Sequence, residues 1–217
     1  MNADFKVAII GSGPAGLSAA GHCAALGVSH ILLESQPHLA DTIYKYQKGK
    51  HVMAEPAILG LRSPVSFSAG KREDILDQWN KEVSKLGVLV QHGAQVSGIT
   101  GAKGLFQIEL ASSEIVSAEH VVLAIGLQGN LRTLGVPGDN LPGIQYQLDN
   151  PEEYQNETII VVGAGDAAIE NALALAKSSN RVILLNRNEE FTRCKDGNLS
   201  DIQAAGRSYN GRGGQHE

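Results

Sequence analysis

A glycine-rich turn between an apolar strand and a helix constrains this chain more than any other feature of its sequence. Residues 7–10 form a short apolar run that predicts a buried parallel strand. A G-x-G-x-x-G turn comes next at 11–16, and small residues over 15–26 predict a helix. Residues 30–34 predict a second parallel strand. This series of strand, turn, helix and strand is a βαβ unit, which predicts an α/β fold.

Each glycine of the turn has a physical role in binding a diphosphate. Gly11 permits the tight turn, Gly13 lets phosphate approach the backbone, and Gly16 lets the helix pack closely on the strand. The helix N-terminus adds free amide groups and a partial positive charge. The predicted binding residues of the turn are Gly11, Ser12, Gly13, Pro14, Ala15 and Gly16.

A carboxylate stands at the end of the second strand. Glu34, followed by Ser35, is placed to accept hydrogen bonds from a ribose diol. Strand, turn, helix and carboxylate in this order predict a dinucleotide site far more specifically than the turn alone. The alternative is an ordinary glycine-rich turn, with Glu34 a solvated charge at the strand end.

The same organisation is repeated near the C-terminus. Residues 158–162 predict a strand, 166–177 a helix and 181–185 a further strand, with a G-x-G-x-x-A turn between the first two. Alanine in the third position still allows the helix to pack. The predicted binding residues here are Gly163, Gly165, Asp166, Ala167 and Ala168.

The end of this last strand carries no carboxylate. Asn186 and Arg187 stand there instead, and we expect both to contact the nucleotide. A guanidinium would pair with the 2′-phosphate of NADP, with Arg193 assisting, whereas a carboxylate would favour NAD. The pattern favours NADP and leaves NAD open, and Arg187 as a solvated charge is the alternative.

Between the two units the sequence predicts one amphipathic helix and several short strands. The helix is 71–86 and the strands are 88–90, 95–99, 105–110, 114–116 and 120–125, of which 95–99 and 105–110 form a hairpin. Residues 36–70 show no clear period. A Gly- and Pro-rich linker at 130–143 predicts two domains, 1–130 and 131–217. Beyond Cys194 the apolar pattern fades, and the end of the chain is expected to be a flexible tail.

Composition excludes several classes of protein. The net charge of −5 is spread without a basic stripe, which argues against nucleic acid as a partner. The apolar run near the N-terminus is too short for a signal or a membrane span. Cys23 and Cys194 lie far apart in sequence, so we expect no disulfide framework and a reducing, cytoplasmic location. The histidines lack zinc-ligand spacing, and no metal is predicted.

Taken together, the two turns resemble those of FAD-dependent pyridine-nucleotide oxidoreductases of the thioredoxin-reductase type. Residues 118–126 end in Val-Val-Leu-Ala-Ile-Gly, similar to the apolar strand and Ala-Thr-Gly of that family, with Ile125 in place of threonine. By this resemblance Ala124 and Gly126 are further cofactor contacts. The likeness covers residues 5–195.

The resemblance implies a flavoprotein with two Rossmann-like units. Domain 1–130 would bind FAD and domain 131–217 would bind NAD(P), with parallel sheets and a β-hairpin or meander insertion. Hydride from NAD(P)H would reduce the flavin, and electrons would pass to a disulfide, ferredoxin or another acceptor. The flavin supplies the chemistry, so no catalytic side chain is predicted. A homodimer is left open as the assembly state.

Three departures from the family pattern matter. Residues 144–150 hold no C-x-x-C, which excludes a dithiol relay there and brings the chain closer to ferredoxin–NADP reductases and bacillithiol-disulfide-reductase-like proteins. Asn186-Arg187-Asn188 replaces His-Arg-Arg. The closing Gly-Asp motif of the family is absent, so by this resemblance we expect either a C-terminally truncated chain or missing parts that come from elsewhere. The alternatives are therefore a non-catalytic nucleotide-binding or sensor module, or an inactive truncated reductase.

Overall fold

The chain forms two compact units, Met1–Gln147 and Leu148–Glu217, called unit 1 and unit 2 below. A computed structural model describes residues 3–54, 62–127, 133–187, 191 and 193–206. The sequence placed the division earlier, between 130 and 131. The two differ because residues up to 147 stay with the first unit, where the side-chain amide of Gln147 donates a hydrogen bond to the carbonyl of Lys45.

Unit 1 mixes helices and strands in its first half and continues as strands alone after its third helix. Its elements are β1 (Phe5–Ile10), α1 (Pro14–Ala25), β2 (His30–Leu33), α2 (Asp41–Tyr44), β3 (His51–Val52), β4 (Gly70–Lys71), α3 (Arg72–Leu86), β5 (Val90–Gln91), β6 (Val96–Ala102), β7 (Leu105–Leu110) and β8 (Ile115–Leu123). The predicted irregular stretch 36–70 contains the short elements α2, β3 and the start of β4, and residues 55–61 lie outside the described part.

Six strands form one sheet in the order β5-β2-β1-β8-β7-β6. The pairs among β5, β2, β1 and β8 are parallel, whereas β6, β7 and β8 form an antiparallel meander. This confirms the predicted parallel sheet with a hairpin insertion. The strands predicted at 114–116 and 120–125 are one continuous strand, β8. Its Ala118 is in register with Phe106 of β7 and with Phe5 of β1, so the strand bridges the two parts of the sheet.

The two faces of the sheet build separate cores because side chains alternate along each strand. Ile9 of β1 and Leu32 of β2 are buried with Leu17 of α1 and with Trp79 of α3. On the opposite face, residues such as Ile10 are buried with side chains of the meander. The members from the meander are Ile108, Leu110, Val116 and Ala118. Both faces therefore hold β1 and β2 rigidly, and with them the turn that comes after β1.

Unit 2 is built around one parallel pair of strands. Its elements are a single 3-10 turn (Pro151–Glu153), β9 (Thr158–Val162), α4 (Asp166–Lys177), β10 (Arg181–Leu185) and α5 (Asp196–Ala205). The register runs from Thr158 opposite Arg181 to Val162 opposite Leu185. The predicted bounds of β9, α4 and β10 are confirmed.

The last helix, α5, is absent from the sequence prediction. It buries none of its residues, so it lacks the apolar face by which an amphipathic helix is recognised. The flexible tail was predicted from Gly206 onwards, and all of it beyond Gly206 lies outside the described residues. Among the helices that the structure describes, none combines the length and apolar character that crossing a membrane requires.

Candidate functional site

The first corner, residues 11–16, joins β1 to α1. The amide of Gly11 donates to the carbonyl of Leu33 at 2.9 Å, which ties the corner to the carboxyl end of β2. Gly11 has φ of +96°, and a Cβ added to it would lie 2.6 Å from the carbonyl oxygen of Ala124. A side chain is therefore excluded at this position. Ala124, just after β8, forms one wall of the corner.

Gly16 sets how closely α1 approaches the corner. A Cβ added to it would lie 1.8 Å from the carbonyl oxygen of Gly11 and 3.3 Å from the Cβ of Ala124. Both distances are shorter than a van der Waals contact. The helix can begin here only without a side chain at this position, which is the packing role the sequence predicted for the third glycine.

Gly13 differs from the other two glycines of the motif because its side is open. A Cβ added to it would have no heavy atom of the described residues within 4 Å beyond its chain neighbours. Gly13 is the N-cap of α1, no side chain caps the helix, and its first turn carries no acidic residue. Pro14 and Ala15 are exposed. The corner thus presents helix N-terminal backbone, with its partial positive charge, to an open space.

Glu34 lies directly behind this corner and is 5% exposed. Its Oε2 accepts hydrogen bonds from the amide of Ser12 (2.9 Å) and from the hydroxyl of Ser12 (2.5 Å). Its Oε1 accepts from the amide of Gln36 (2.9 Å) and from the hydroxyl of Ser35 (3.2 Å). The carboxylate therefore connects the corner to the segment after β2.

These contacts keep Glu34 ionised. Burial by itself raises the pKa of Glu34, but the hydrogen bonds from Ser12, Gln36 and Ser35 outweigh it and hold the pKa below the ordinary glutamate value. Hydrogen bonds donated to a carboxylate stabilise its charged form. A buried negative charge is thus fixed beside the corner.

Ser12, predicted as a cofactor contact, is fully buried, and its hydroxyl points towards Glu34. The same hydroxyl accepts a hydrogen bond from the amide of Ala40 at 3.0 Å. Ala40 has φ of +53°, uncommon for a residue other than glycine. Sequence reasoning missed Ala40 and Gln36, because each acts through its backbone amide and no residue type marks such a role.

The other predicted residues of unit 1 lie around the same corner. Ser35 is exposed. The amide of Ala124 donates to the carbonyl of Ile10 at 2.8 Å, which continues the pairing of β8 with β1. Gly126 is exposed, with φ of +66°, and a Cβ added to it would meet no heavy atom of the described residues within 4 Å beyond its chain neighbours.

The second corner, residues 163–168, repeats this backbone arrangement. The amide of Gly163 donates to the carbonyl of Leu185 at 2.9 Å, and Gly163 has φ of +138°. Gly165 is the N-cap of α4 without a side-chain cap, and a Cβ added to it would again meet no heavy atom within 4 Å in the part of the chain that the structure describes, its chain neighbours aside. The two corners differ at the third position of the motif, which is Ala168 here and glycine in unit 1. The Cβ of Ala168 would lie 3.2 Å from a Cβ added to Gly163.

Asp166 is involved in a contact that the sequence did not predict. Its Oδ1 accepts hydrogen bonds from the amide of Lys195 (2.8 Å) and the side chain of Asn198 (2.8 Å), and so holds the N-terminus of α5. Arg193 forms an isolated parallel bridge with Gly165. The segment before α5 therefore runs alongside the second corner.

The end of β10 places Asn186 and Arg187 beside this corner. The matching hydrogen bonds of Gly11 and Gly163 make Asn186 the counterpart of Glu34, and Arg187 the counterpart of Ser35. Arg187 is exposed and Asn186 is half-buried. A buried carboxylate in unit 1 is thus replaced in unit 2 by a neutral amide followed by an exposed cation.

The structure brings the predicted residues together in two groups, one in each unit. Residues 11–16, Glu34, Ser35, Ala124 and Gly126 surround the first corner, and residues 163–168, Asn186 and Arg187 surround the second. Within the described part of the chain, no group of three or more His, Cys, Asp or Glu side chains is arranged to hold a metal ion.

Comparison with known proteins assigns a family to this arrangement. The model of the pyridine nucleotide-disulphide oxidoreductases matches residues 8–204. This chain belongs to that family. Among the relatives of this chain, a ferredoxin–NADP reductase of Ignicoccus hospitalis is 27% identical over 195 residues, which cover 84% of this chain and 56% of that protein. The chain thus spans little more than half the length of this relative.

Solved structures of two reductases share the fold of this chain. A bacillithiol disulfide reductase from Staphylococcus aureus superimposes with a TM-score of 0.81 at 23% identity, over 94% of this chain and 64% of that one. A thioredoxin reductase from Lactococcus lactis gives a TM-score of 0.71 at 21% identity, over 92% of this chain and 61% of that one. The predicted resemblance to thioredoxin-reductase-type proteins is confirmed.

The two glycines of the first corner that differ most in available space give a paired test. Gly16→Ala places a methyl group 1.8 Å from the Gly11 carbonyl oxygen, so we expect a loss of unfolding free energy of about 3 kcal/mol or more. Gly13→Ala meets open space and should cost about 1 kcal/mol at most. Urea unfolding followed by circular dichroism measures both. Equal losses in the two variants would contradict the geometry of the corner.

The lowered pKa of Glu34 predicts an acid-sensitive contribution to stability. Because the folded-state pKa lies below the unfolded one, ionised Glu34 stabilises unit 1 above the unfolded value, 4.5, and this contribution is lost as pH falls through the folded value. We expect Glu34→Gln to cost about 2 kcal/mol at pH 7, with the difference from wild type shrinking in acid.

Unfolding by urea at neutral pH and across the acidic range measures this difference. The exposed Glu109→Gln on β7 is the control, since it should change stability little at any pH. A Glu34→Gln deficit that stays constant down to the lowest pH would show that ionisation of Glu34 does not stabilise the fold.

Proposed function

We propose that this chain is the nucleotide-binding part of a flavoprotein oxidoreductase, with FAD bound in unit 1 and NADP(H) in unit 2. Electrons would pass from NAD(P)H through the flavin to a disulfide, ferredoxin or another acceptor. One observation carries the proposal: each unit has a strand-to-helix corner whose central glycine faces open space among the described residues, while the first and third positions of the motif pack closely.

The residues of unit 1 fit the ADP half of FAD. The open side of Gly13 and the exposed start of α1 at Pro14 and Ala15 offer amides and a helix dipole to a diphosphate. Glu34 supplies the carboxylate expected to face a ribose. Ala124 and Gly126 come after the neighbouring strand at the same edge of the sheet.

The residues of unit 2 fit a nicotinamide nucleotide. Gly165 repeats the open position, and α4 begins there without a side-chain cap. Arg187 is exposed at the strand end, where a 2′-phosphate of NADP would be bound. The neutral Asn186 in the place of a carboxylate removes the charge that would repel this phosphate, which supports NADP over NAD.

The bound flavin would supply hydride and electron-transfer chemistry, and the residues of this chain would bind and orient the nucleotides. The match to a ferredoxin–NADP reductase supports an electron acceptor outside this chain. Both thiols, Cys23 and Cys194, are free, which supports a reducing, cytoplasmic setting.

Flavin content tests the proposal directly. We expect purified protein, or protein given FAD, to show flavin absorbance at about 370 and 450 nm, and we expect this absorbance to bleach when NADPH is added without oxygen. Gly13→Ala should retain at least tenfold less flavin, because its methyl group enters the diphosphate space. Gly165→Ala is the matched control and should stay yellow while losing reduction by NADPH. Wild-type protein that stays colourless, without bound flavin, but still binds nucleotide would support the non-catalytic sensor module instead.

The choice of nicotinamide nucleotide is tested at Arg187. Arg187→Ala should raise the KM for NADPH about tenfold and leave the KM for NADH nearly unchanged, because one phosphate contact is lost. Arg181→Ala is the control, since Arg181 is an exposed arginine at the opposite end of β10. Flavin reduction by each nucleotide under anaerobic conditions measures the effect. Equal changes for both nucleotides would contradict a role in recognising the 2′-phosphate.

A further inference from the structure

The acceptor positions of the Glu34 carboxylate are occupied by hydrogen bonds from its own chain. A carboxylate offers about four acceptor positions. The amide and hydroxyl of Ser12 take two of them on Oε2, and the amide of Gln36 and hydroxyl of Ser35 take two on Oε1. A ribose hydroxyl can therefore bind Glu34 only by displacing one of these donors.

The four donors are not equally replaceable. Ser12 is fully buried, and its hydroxyl is also engaged by the amide of Ala40, so both contacts on Oε2 are fixed. The Gln36 contact is a backbone bond of 2.9 Å. The Ser35 contact is the longest of the four at 3.2 Å, and Ser35 is exposed. Its hydroxyl can rotate into water at little cost.

We propose that the hydroxyl of Ser35 occupies the position of a ribose hydroxyl and is displaced when the nucleotide binds. Ser12 is then a positioning residue, which holds Oε2 inward so that Oε1 faces the ribose. The inference rests on the proposed binding of FAD in unit 1. It adds that the affinity of this site for a ribose is set by two serines on opposite oxygens of one carboxylate.

The two serines act in opposite directions on binding. Removing the Ser35 hydroxyl leaves one acceptor position on Oε1 vacant, so a ribose hydroxyl binds without competition. Removing the Ser12 hydroxyl leaves Oε2 held by the Ser12 amide alone, so the carboxylate is oriented less firmly and its contact with the ribose is weakened. Both effects act through the ribose hydroxyl. The affinity for a nucleotide that lacks this hydroxyl should therefore not change when Ser35 is replaced.

Competition against FAD on the full chain tests this, with flavin fluorescence as the readout. The competitors are ADP and its 2′-deoxy and 3′-deoxy analogues, which report only on the site that holds FAD. We expect Ser35→Ala to bind ADP about threefold to tenfold more tightly than wild type. The gain should vanish for at least one deoxy analogue. Ser112→Ala, an exposed serine in the turn between β7 and β8, is the matched control.

Ser12→Ala provides the second arm. We expect it to bind ADP roughly tenfold more weakly, because a charge-assisted hydrogen bond that orients Glu34 is lost. Its ratio of affinities for ADP over the deoxy analogues should fall towards one. A role confined to folding would weaken all three competitors equally and leave this ratio unchanged.

The outcomes separate the inference from the function on which it rests. If wild-type protein fails to bind FAD, the proposed function and the inference both fall. If FAD binds, but Ser35→Ala leaves ADP affinity unchanged or lowered, the inference alone is overturned. A gain that persists for both deoxy analogues overturns it as well.

Discussion

The close approach of α1 to the end of β1 is the constraint on which the rest of unit 1 depends. The backbone at Gly16 and the carbonyl of Gly11 leave no room for a methyl group, and Ala124 closes the remaining side. Because these contacts are made by backbone atoms, the helix start is held at a fixed position relative to the sheet. Gly13 and Glu34 are held at fixed positions as well, because Gly13 comes shortly after β1 and Glu34 comes directly after β2, the strand paired with it.

The two units use one backbone design with different chemistry at the strand end. In each, the first glycine donates to the last residue of the neighbouring strand, and the central glycine begins an uncapped helix. The residues just beyond that strand differ: a buried, hydrogen-bonded carboxylate in unit 1, and an amide with an exposed guanidinium in unit 2. Under the proposed function, selectivity between nucleotides would reside in the one or two side chains that come just after each strand, and the backbone of the corner would be common to both units.

Much of this arrangement could be predicted from the sequence, because glycines with steric roles and apolar runs leave local signals. The bounds of β9, α4 and β10 and the meander strands were accessible in this way. The continuity of β8 was not, since it comes from pairing with β7 and β1 at distant positions. The buried place of Ser12 and the amides of Gln36 and Ala40 also left no signal. Helix α5 was missed because polar contacts, rather than an apolar face, hold it.

Asp166 connects the start of helix α4 with the start of helix α5. Its carboxylate lies in the first turn of α4, where a negative charge suits the helix dipole, and it also anchors the start of α5 through Lys195 and Asn198. A substitution that removed this carboxylate would therefore also remove two hydrogen bonds at the start of α5, a helix that has no buried side chain of its own. The start of α4 is in this way coupled to a backbone amide 29 residues further along the chain.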